Sequence, residues 1–438
     1  MDPRRTEHAS GHVVVEGRRI AAVGEGPAER PDGTRVVDGR GCLLTPGLVN
    51  THHHLYQWVT RGLAADDNLF GWLTRLYPVW SGLDAESVHV AAAAALARLA
   101  RTGCTTSADH HYVFPRAGGD LLAAEVAAAR EVGLRLHLCR GSMDLGRRNG
   151  GLPPDDLVED RDAALAATAD AITRWHDPAP DATLRVAVAP CSPFSVTAEL
   201  MREAAELARR AGVRLHTHLA ETADEEGFCR ARFGCTPLEY VEELGWLGED
   251  VWLAHAVHLD DAATKRVGAS GTGVAHCPSS NARLGAGIAD VRALRDAGAP
   301  VGLGVDGAAS NEATSLLEEA RHALLFARAR GGSGAATVRE ALEMATLGGA
   351  AVLGRQDEIG SIQPGMLADL ALWRLDTPLH AGIADPVVAL LLGAPPPLEL
   401  LLVGGRPVVE RDTVRTVDEQ ALAVRVRAAH RTLMAKGG

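Results

Sequence analysis

Eight short apolar, β-rich runs recur along the chain: GLVNTHH, GCTTSADHH, LRLHLC, LRVAVAPC, VRLHTHL, VWLAHA, GVAHC and VGLGVD. Stretches rich in Ala, Leu and Arg, with helical period, separate them. Strand and helix in alternation make a parallel sheet with helical crossovers, and eight such units read as a closed (β/α)8 barrel of the TIM type. The clearest helices span 85 to 103 and 197 to 212, the second with Thr197 as its cap and Gly212 as its stop. The 438 residues exceed the roughly 250 typical of one barrel, so a satellite domain is expected. HVVVEGRRIAAVG (12 to 24) alternates like a hairpin with a Glu-Gly turn, and DLALWRLD (369 to 376) and LLLVGGRPVVERD (400 to 412) alternate in the same way. They predict a small β-sandwich domain built from both termini, with residues 1-45 and 359-438, including a terminal helix, flanking a barrel over 46-358.

The net charge of −12, with 56 acidic against 44 basic residues and no basic block, argues against nucleic acid or an anionic membrane surface as a partner. Seven cysteines, odd in number and never spaced CxxC, indicate neither a disulfide framework nor a cysteine zinc knuckle. No cationic start leads into an apolar segment, and no apolar run reaches the roughly 18 residues that span a bilayer. A soluble protein of the reducing cytoplasm is expected.

In such a barrel the chemistry sits at the C-terminal strand ends. Here those ends carry His52, His54, Asp109, His111, Cys191, His218, His255, His276 and Asp306. Side chains two apart on a strand share a face, so His52 and His54 point into the barrel mouth while His53 points outward. In HTHLAET, His218 ends its strand as a further ligand, His216 lies a layer deeper as a packed histidine, and Glu221 is placed to act as general base. Imidazole and carboxylate donors suit Zn²⁺ or Fe²⁺. With His52, His54, His218 and Asp306 as ligands, His255 is more useful as a proton shuttle or an electrophile. Asp109, His111 and His276 are expected to contact substrate or brace the barrel.

Only 4% of residues are aromatic, yet Tyr56, Trp58, Phe70, Trp72, Tyr77 and Trp80 fall close together after the first ligands. Tyr56 and Trp58 are expected to stack on a planar heterocycle, with Gln57 between them as a paired donor and acceptor for the ring edge.

The runs TPGLVNTHHH, HTHLAET, LAHAVHLD, HCPSSN, GLGVDGAASNE and GSIQPGMLADLALW, in this order across nearly the whole chain, resemble the amidohydrolase superfamily in its mononuclear-metal aminohydrolase branch. The resemblance implies one divalent metal per chain, Zn²⁺ ahead of Fe²⁺, held by His52, His54, His218 and Asp306. It also implies acid/base or charge-stabilising roles for Glu221, His255 and Asp306. Members usually carry a further strand before the point where this chain reads Met1 and Asp2, so the small domain is expected to lack an edge strand.

Guanine deaminases have HxHAPQ where this chain has HHHLYQ, which aligns Gln57 with their purine-binding glutamine. They carry an arginine where this chain has Cys191. NTHHHLYQW, LYPVW, DHHYVFP and APCSPFSV together look most like the bacterial 8-oxoguanine deaminases. The implied reaction is 8-oxoguanine plus water giving urate and ammonia, with Gln57, Trp58, Tyr56, Cys191 and His111 as substrate contacts. An s-triazine amino- or chlorohydrolase, an isoxanthopterin or guanine deaminase and, more remotely, a non-catalytic assembly protein are the alternatives. The expected partner is a small heterocyclic substrate, and a homo-oligomer is allowed.

Overall fold

The computed structural model describes residues 4–29 and 32–437; Met1 and Asp2, where the missing edge strand was expected, lie outside them. The eight apolar runs form the parallel strands Leu48–Asn50, Cys104–His111, Arg135–Ser142, Leu184–Pro190, Arg214–Leu219, Val251–His255, Gly273–His276 and Val301–Leu303. They pair in chain order, and Leu303 of the last meets Asn50 of the first to close the barrel. The small side chains of Val49, Ala108, Cys139, Ala187, Ala189 and Ala275 pack with the indole of Trp252 in one buried cluster that fills the interior. A filled interior leaves chemistry only to the mouth.

Local signals set the crossovers. The helix Ala85–Arg101 starts at a capping box formed by Asp84 and Ser87, and Ala198–Ala211 starts where Thr197 accepts from the Leu200 amide and ends at left-handed Gly212. After the first strand, Thr51 and His52 step out of the ladder. His53–His54 then pair with Asp306–Gly307 in a short two-stranded sheet. His53 is fully buried and turns back on its own chain, its Nδ1 accepting from the His54 amide at 2.8 Å. A 3-10 helix, Leu55–Thr60, and the aromatic-rich helix Leu69–Trp80 follow.

Both termini build the small β domain. The strands Thr413–Val414, Arg406–Glu410, Leu398–Val403, Leu370–Arg374 and Cys42–Pro46 form an antiparallel sheet in that order. The hairpin Gly11–Glu16 with Arg19–Glu25 packs Val13, Val15, Ile20 and Val23 against Leu44, Leu370 and Leu402. The terminal helix Glu419–Gly437, grouped by sequence with this domain, lies instead on the barrel helix Ala85–Arg101. It buries Leu422 and Leu433, and His430 Nδ1 donates to the Val59 carbonyl at 2.7 Å. No helix among the described residues is long and apolar enough to cross a membrane.

A buried ion pair joins the two parts. Arg135, at the start of the third barrel strand, donates to both carboxylate oxygens of Asp369 at 2.8 and 3.1 Å, and the Gly404 amide adds a third bond. Asp369→Ala leaves the guanidinium buried without its counter-charge, which costs about 3 kcal/mol. A lowered melting temperature with metal content intact is the expected result, and an unchanged Tm contradicts it.

Candidate active site

Four side chains from three barrel-strand ends converge, His52 and His54 after the first, His218 on the fifth and Asp306 after the eighth. His54 Nε2 lies 3.1 Å from His218 Nε2, and Asp306 Oδ1 lies 3.3 Å from His52 Nε2 and 3.2 Å from His54 Nε2. Donors about 2.1 Å from a tetrahedral ion are about 3.4 Å apart, so these spacings fit a single ion.

The surrounding bonds decide which ring nitrogen of each histidine is free. His54 Nδ1 donates to the His110 carbonyl at 2.6 Å, and His218 Nδ1 donates to the Cys191 carbonyl at 2.7 Å. His216 Nδ1 donates to the Trp252 carbonyl at 3.0 Å, so its Nε2 accepts from His52 Nδ1 at 2.8 Å. Each of the three histidine candidates therefore presents a bare Nε2 to the same point. His52 Nε2 is fully buried and has no hydrogen-bond partner among the described residues. A ring nitrogen left so is explained by an ion.

Burial opposes charge on His52, His218 and Asp306. It pushes His52 and His218 well below the ordinary histidine range, keeping them neutral as ligands require. It also opposes the charge on Asp306, but the adjacent His52 and His54 rings hold that carboxyl well below its usual value. The other carboxylate oxygen, Asp306 Oδ2, accepts from Ser280 Oγ at 2.5 Å and Ser310 Oγ at 3.2 Å. Neutral imidazoles with one carboxylate make a donor set for a divalent cation.

Both ring nitrogens of His216 are engaged in hydrogen bonds. It stacks on Trp252 at 4.4 Å and orients His52 through the relay just described. His216→Ala removes that acceptor, and about a tenfold loss of metal affinity is expected, read by competition with a chelator. Unchanged affinity would reduce His216 to packing.

Glu221 follows Ala220, which has a left-handed φ of 51°. Its side chain is buried at 4% exposure rather than solvated, with Oε2 3.6 Å from His255 Nε2. Desolvation, then the nearby Asp306 charge, raises its carboxyl well above the usual range. His255 Nδ1 bonds Asn281 Oδ1 at 2.9 Å, which turns Nε2 toward Glu221.

The cavity beside this cluster is walled by Trp72, Leu73, Tyr77, Tyr112 and Phe194, with Gln57, Cys191, Glu221 and His255 among its polar groups. Gln57 is fully buried, and neither Oε1 nor Nε2 has a hydrogen-bond partner among the described residues. It fits only because Gly307 lacks a side chain, since a Cβ there would lie 1.8 Å from Gln57 Oε1. The Cys191 thiol is buried, which pushes it up to about 12, so it faces the cavity neutral.

Three expected contacts are placed elsewhere. Tyr56 packs among Trp80, His111 and Tyr112 behind the wall, and the Trp58 ring is covered by Arg61 at 3.6 Å. In the tight turn Leu55–Thr60 the cavity is lined by Gln57 alone. His111 lies on the outer face of its strand, with Nδ1 bonded to Glu125 at 2.7 Å and Nε2 to the Val113 carbonyl at 2.9 Å. Alternation turns Ala108 and His110 inward instead. His110, which sequence reasoning passed over, stacks on His218 at 4.7 Å and supplies the carbonyl that orients His54. Ala108 was the available signal, because a small residue fits the crowded barrel interior.

Comparison with known proteins agrees with this geometry. The amidohydrolase family model matches residues 43–407. An 8-oxoguanine deaminase of Pseudomonas aeruginosa is 47% identical, covering 98% of this chain and 95% of its own. A hydroxydechloroatrazine ethylaminohydrolase of Pseudomonas sp. strain ADP is 38% identical, covering 93% and 85%. The crystal structure of atrazine chlorohydrolase from Arthrobacter aurescens TC1 complexed with zinc superposes with a TM-score of 0.93 at 33% identity, covering 98% and 97%.

Proposed function

The chain belongs to the amidohydrolase family, and from that premise we propose that it deaminates an oxidised purine hydrolytically, converting 8-oxoguanine and water to urate and ammonia. One observation carries the choice of substrate. The Gln57 carboxamide faces the cavity with its donor and acceptor both unmatched among the described residues. The adjacent N7–H and C8=O of 8-oxoguanine, a pair that guanine lacks, satisfy both at once, while Tyr112, Tyr77, Trp72 and Phe194 offer the ring apolar walls. The similarity to an 8-oxoguanine deaminase supports the same reading. The seven free thiols support a reducing, cytoplasmic setting.

His52, His54, His218 and Asp306 would hold one Zn²⁺ per chain, which would supply the Lewis acidity that makes water nucleophilic at neutral pH. Glu221 takes a proton from the water attacking C2 and passes it to the neighbouring ring nitrogen; its raised affinity for protons suits a carrier. His255 faces the charge that develops at the attacked carbon. Asp306 receives the second proton of the water and helps deliver it to the departing amine. The C2–N bond breaks, ammonia leaves, and C2 becomes a carbonyl.

The test is kcat/KM for ammonia release from 8-oxoguanine, guanine, isoxanthopterin and a hydroxytriazine on one metal-replete sample. A buried polar group left unpaired by the wrong ring costs on the order of 1 to 3 kcal/mol, so 8-oxoguanine should lead guanine by about tenfold or more. Gln57→Ala should lose most of that lead while retaining metal. Equal or faster turnover of guanine refutes the substrate assignment. If the preference survives in Gln57→Ala, recognition moves to Cys191.

A further inference from the structure

Three helices of this chain begin with Thr-x-x-Glu, at Thr222, Thr236 and Thr337. In two of them the glutamate closes an ordinary capping box. Glu239 accepts from the Thr236 amide and Glu340 from the Thr337 amide, at 2.9 and 2.8 Å, and neither glutamate is buried. The third behaves differently. Glu225 is fully buried, passes over the amide of its own cap Thr222, and accepts from the two amides before it, Ala220 N and Glu221 N, each at 2.9 Å.

Helix capping does not require this arrangement, because Thr222 already accepts from the Glu225 amide. What the two bonds fix is the left-handed turn at Ala220 and the direction in which Glu221 leaves the backbone. That turn strains a residue with a Cβ by about 1 to 2 kcal/mol, and the Ala220 carbonyl is held in turn by the Val257 and His258 amides. Burying a carboxylate is costly unless its oxygens are well matched. The two amides beside Glu221 are the only hydrogen-bond donors that Glu225 meets among the described residues.

From this geometry we infer that Glu225 is a positioning residue for the proton carrier, holding the Glu221 carboxylate where it reaches the water and the substrate ring. The inference rests on the proton-carrier role proposed for Glu221. Gln in place of Glu225 keeps the volume but has one acceptor oxygen, and turns an N–H₂ toward one of the two amides. A misplacement of about 1 Å costs up to 10²-fold in rate.

The experiment is a double-mutant cycle on the metal-loaded full chain, with kcat, KM and metal content measured for Glu225→Gln, Glu221→Gln and the pair. Glu225→Gln should lower kcat about tenfold with KM and metal within about twofold, since orientation rather than binding is lost. In the Glu221→Gln background the same change should cost less than about twofold, because its action passes through Glu221. A loss equal in both backgrounds overturns the inference and leaves Glu225 a general stabiliser, as does a Glu225→Gln enzyme matching the parent. If Glu221→Gln itself keeps full activity, the proton-carrier reading has failed instead. Glu225→Asp, which keeps the charge but shortens the reach, replaces Gln in the cycle if the Gln variant does not fold, with the same two outcomes.

Discussion

Glu221→Gln should reduce kcat by about 10² or more while metal content and Tm stay near those of the parent. The carboxamide fills the same buried space beside His255 and cannot shuttle a proton. Glu221 contributes no donor atom to the His52, His54, His218 and Asp306 convergence, so the metal should remain. Steady-state kinetics with elemental analysis on the same sample checks both parts. An enzyme within a few-fold of the parent would assign proton transfer to another group.

Exhaustive chelation should bring activity to background, and one equivalent of Zn²⁺ per chain should restore it. Bare nitrogens at His52, His54 and His218 with a charged Asp306 are an expensive arrangement to bury without a cation. The stripped protein should therefore also melt at a lower temperature, since an ion that binds only the folded state stabilises it. Elemental analysis against recovered activity, titrated with zinc, is the measurement. Activity that survives chelation, or recovery that needs two ions per chain, contradicts a single-ion site.

Much of this was legible in the residues. Eight apolar runs became eight paired strands in chain order because short runs bounded by helical periods leave few other topologies. Thr197 and Gly212 bound their helix because a hydroxyl acceptor and a free φ are local properties. His52, His54, His218, Glu221, His255 and Asp306 come together because strand ends in a barrel all face one mouth.

The misplaced residues share a physical cause. The strand Cys104–His111 is buried on both faces, so no polar-out alternation marks which of His110 and His111 turns inward. Tyr56 and Trp58 flank Gln57 in the sequence, but a helical turn of about three residues per rotation points successive side chains in different directions. The diverted cap at Glu225 has the same sequence spacing as the ordinary ones at Glu239 and Glu340; only the backbone of Ala220 and Glu221 distinguishes it.

Turnover of 8-oxoguanine by the zinc-loaded enzyme in H₂¹⁸O tests hydrolytic deamination at this site most directly. Mass spectrometry should find urate carrying a single ¹⁸O, located at C2, with ammonia released in equal amount and both absent in Glu221→Gln on the same timescale. Urate without the label, or 8-oxoguanine recovered unchanged while another heterocycle is hydrolysed, would contradict it.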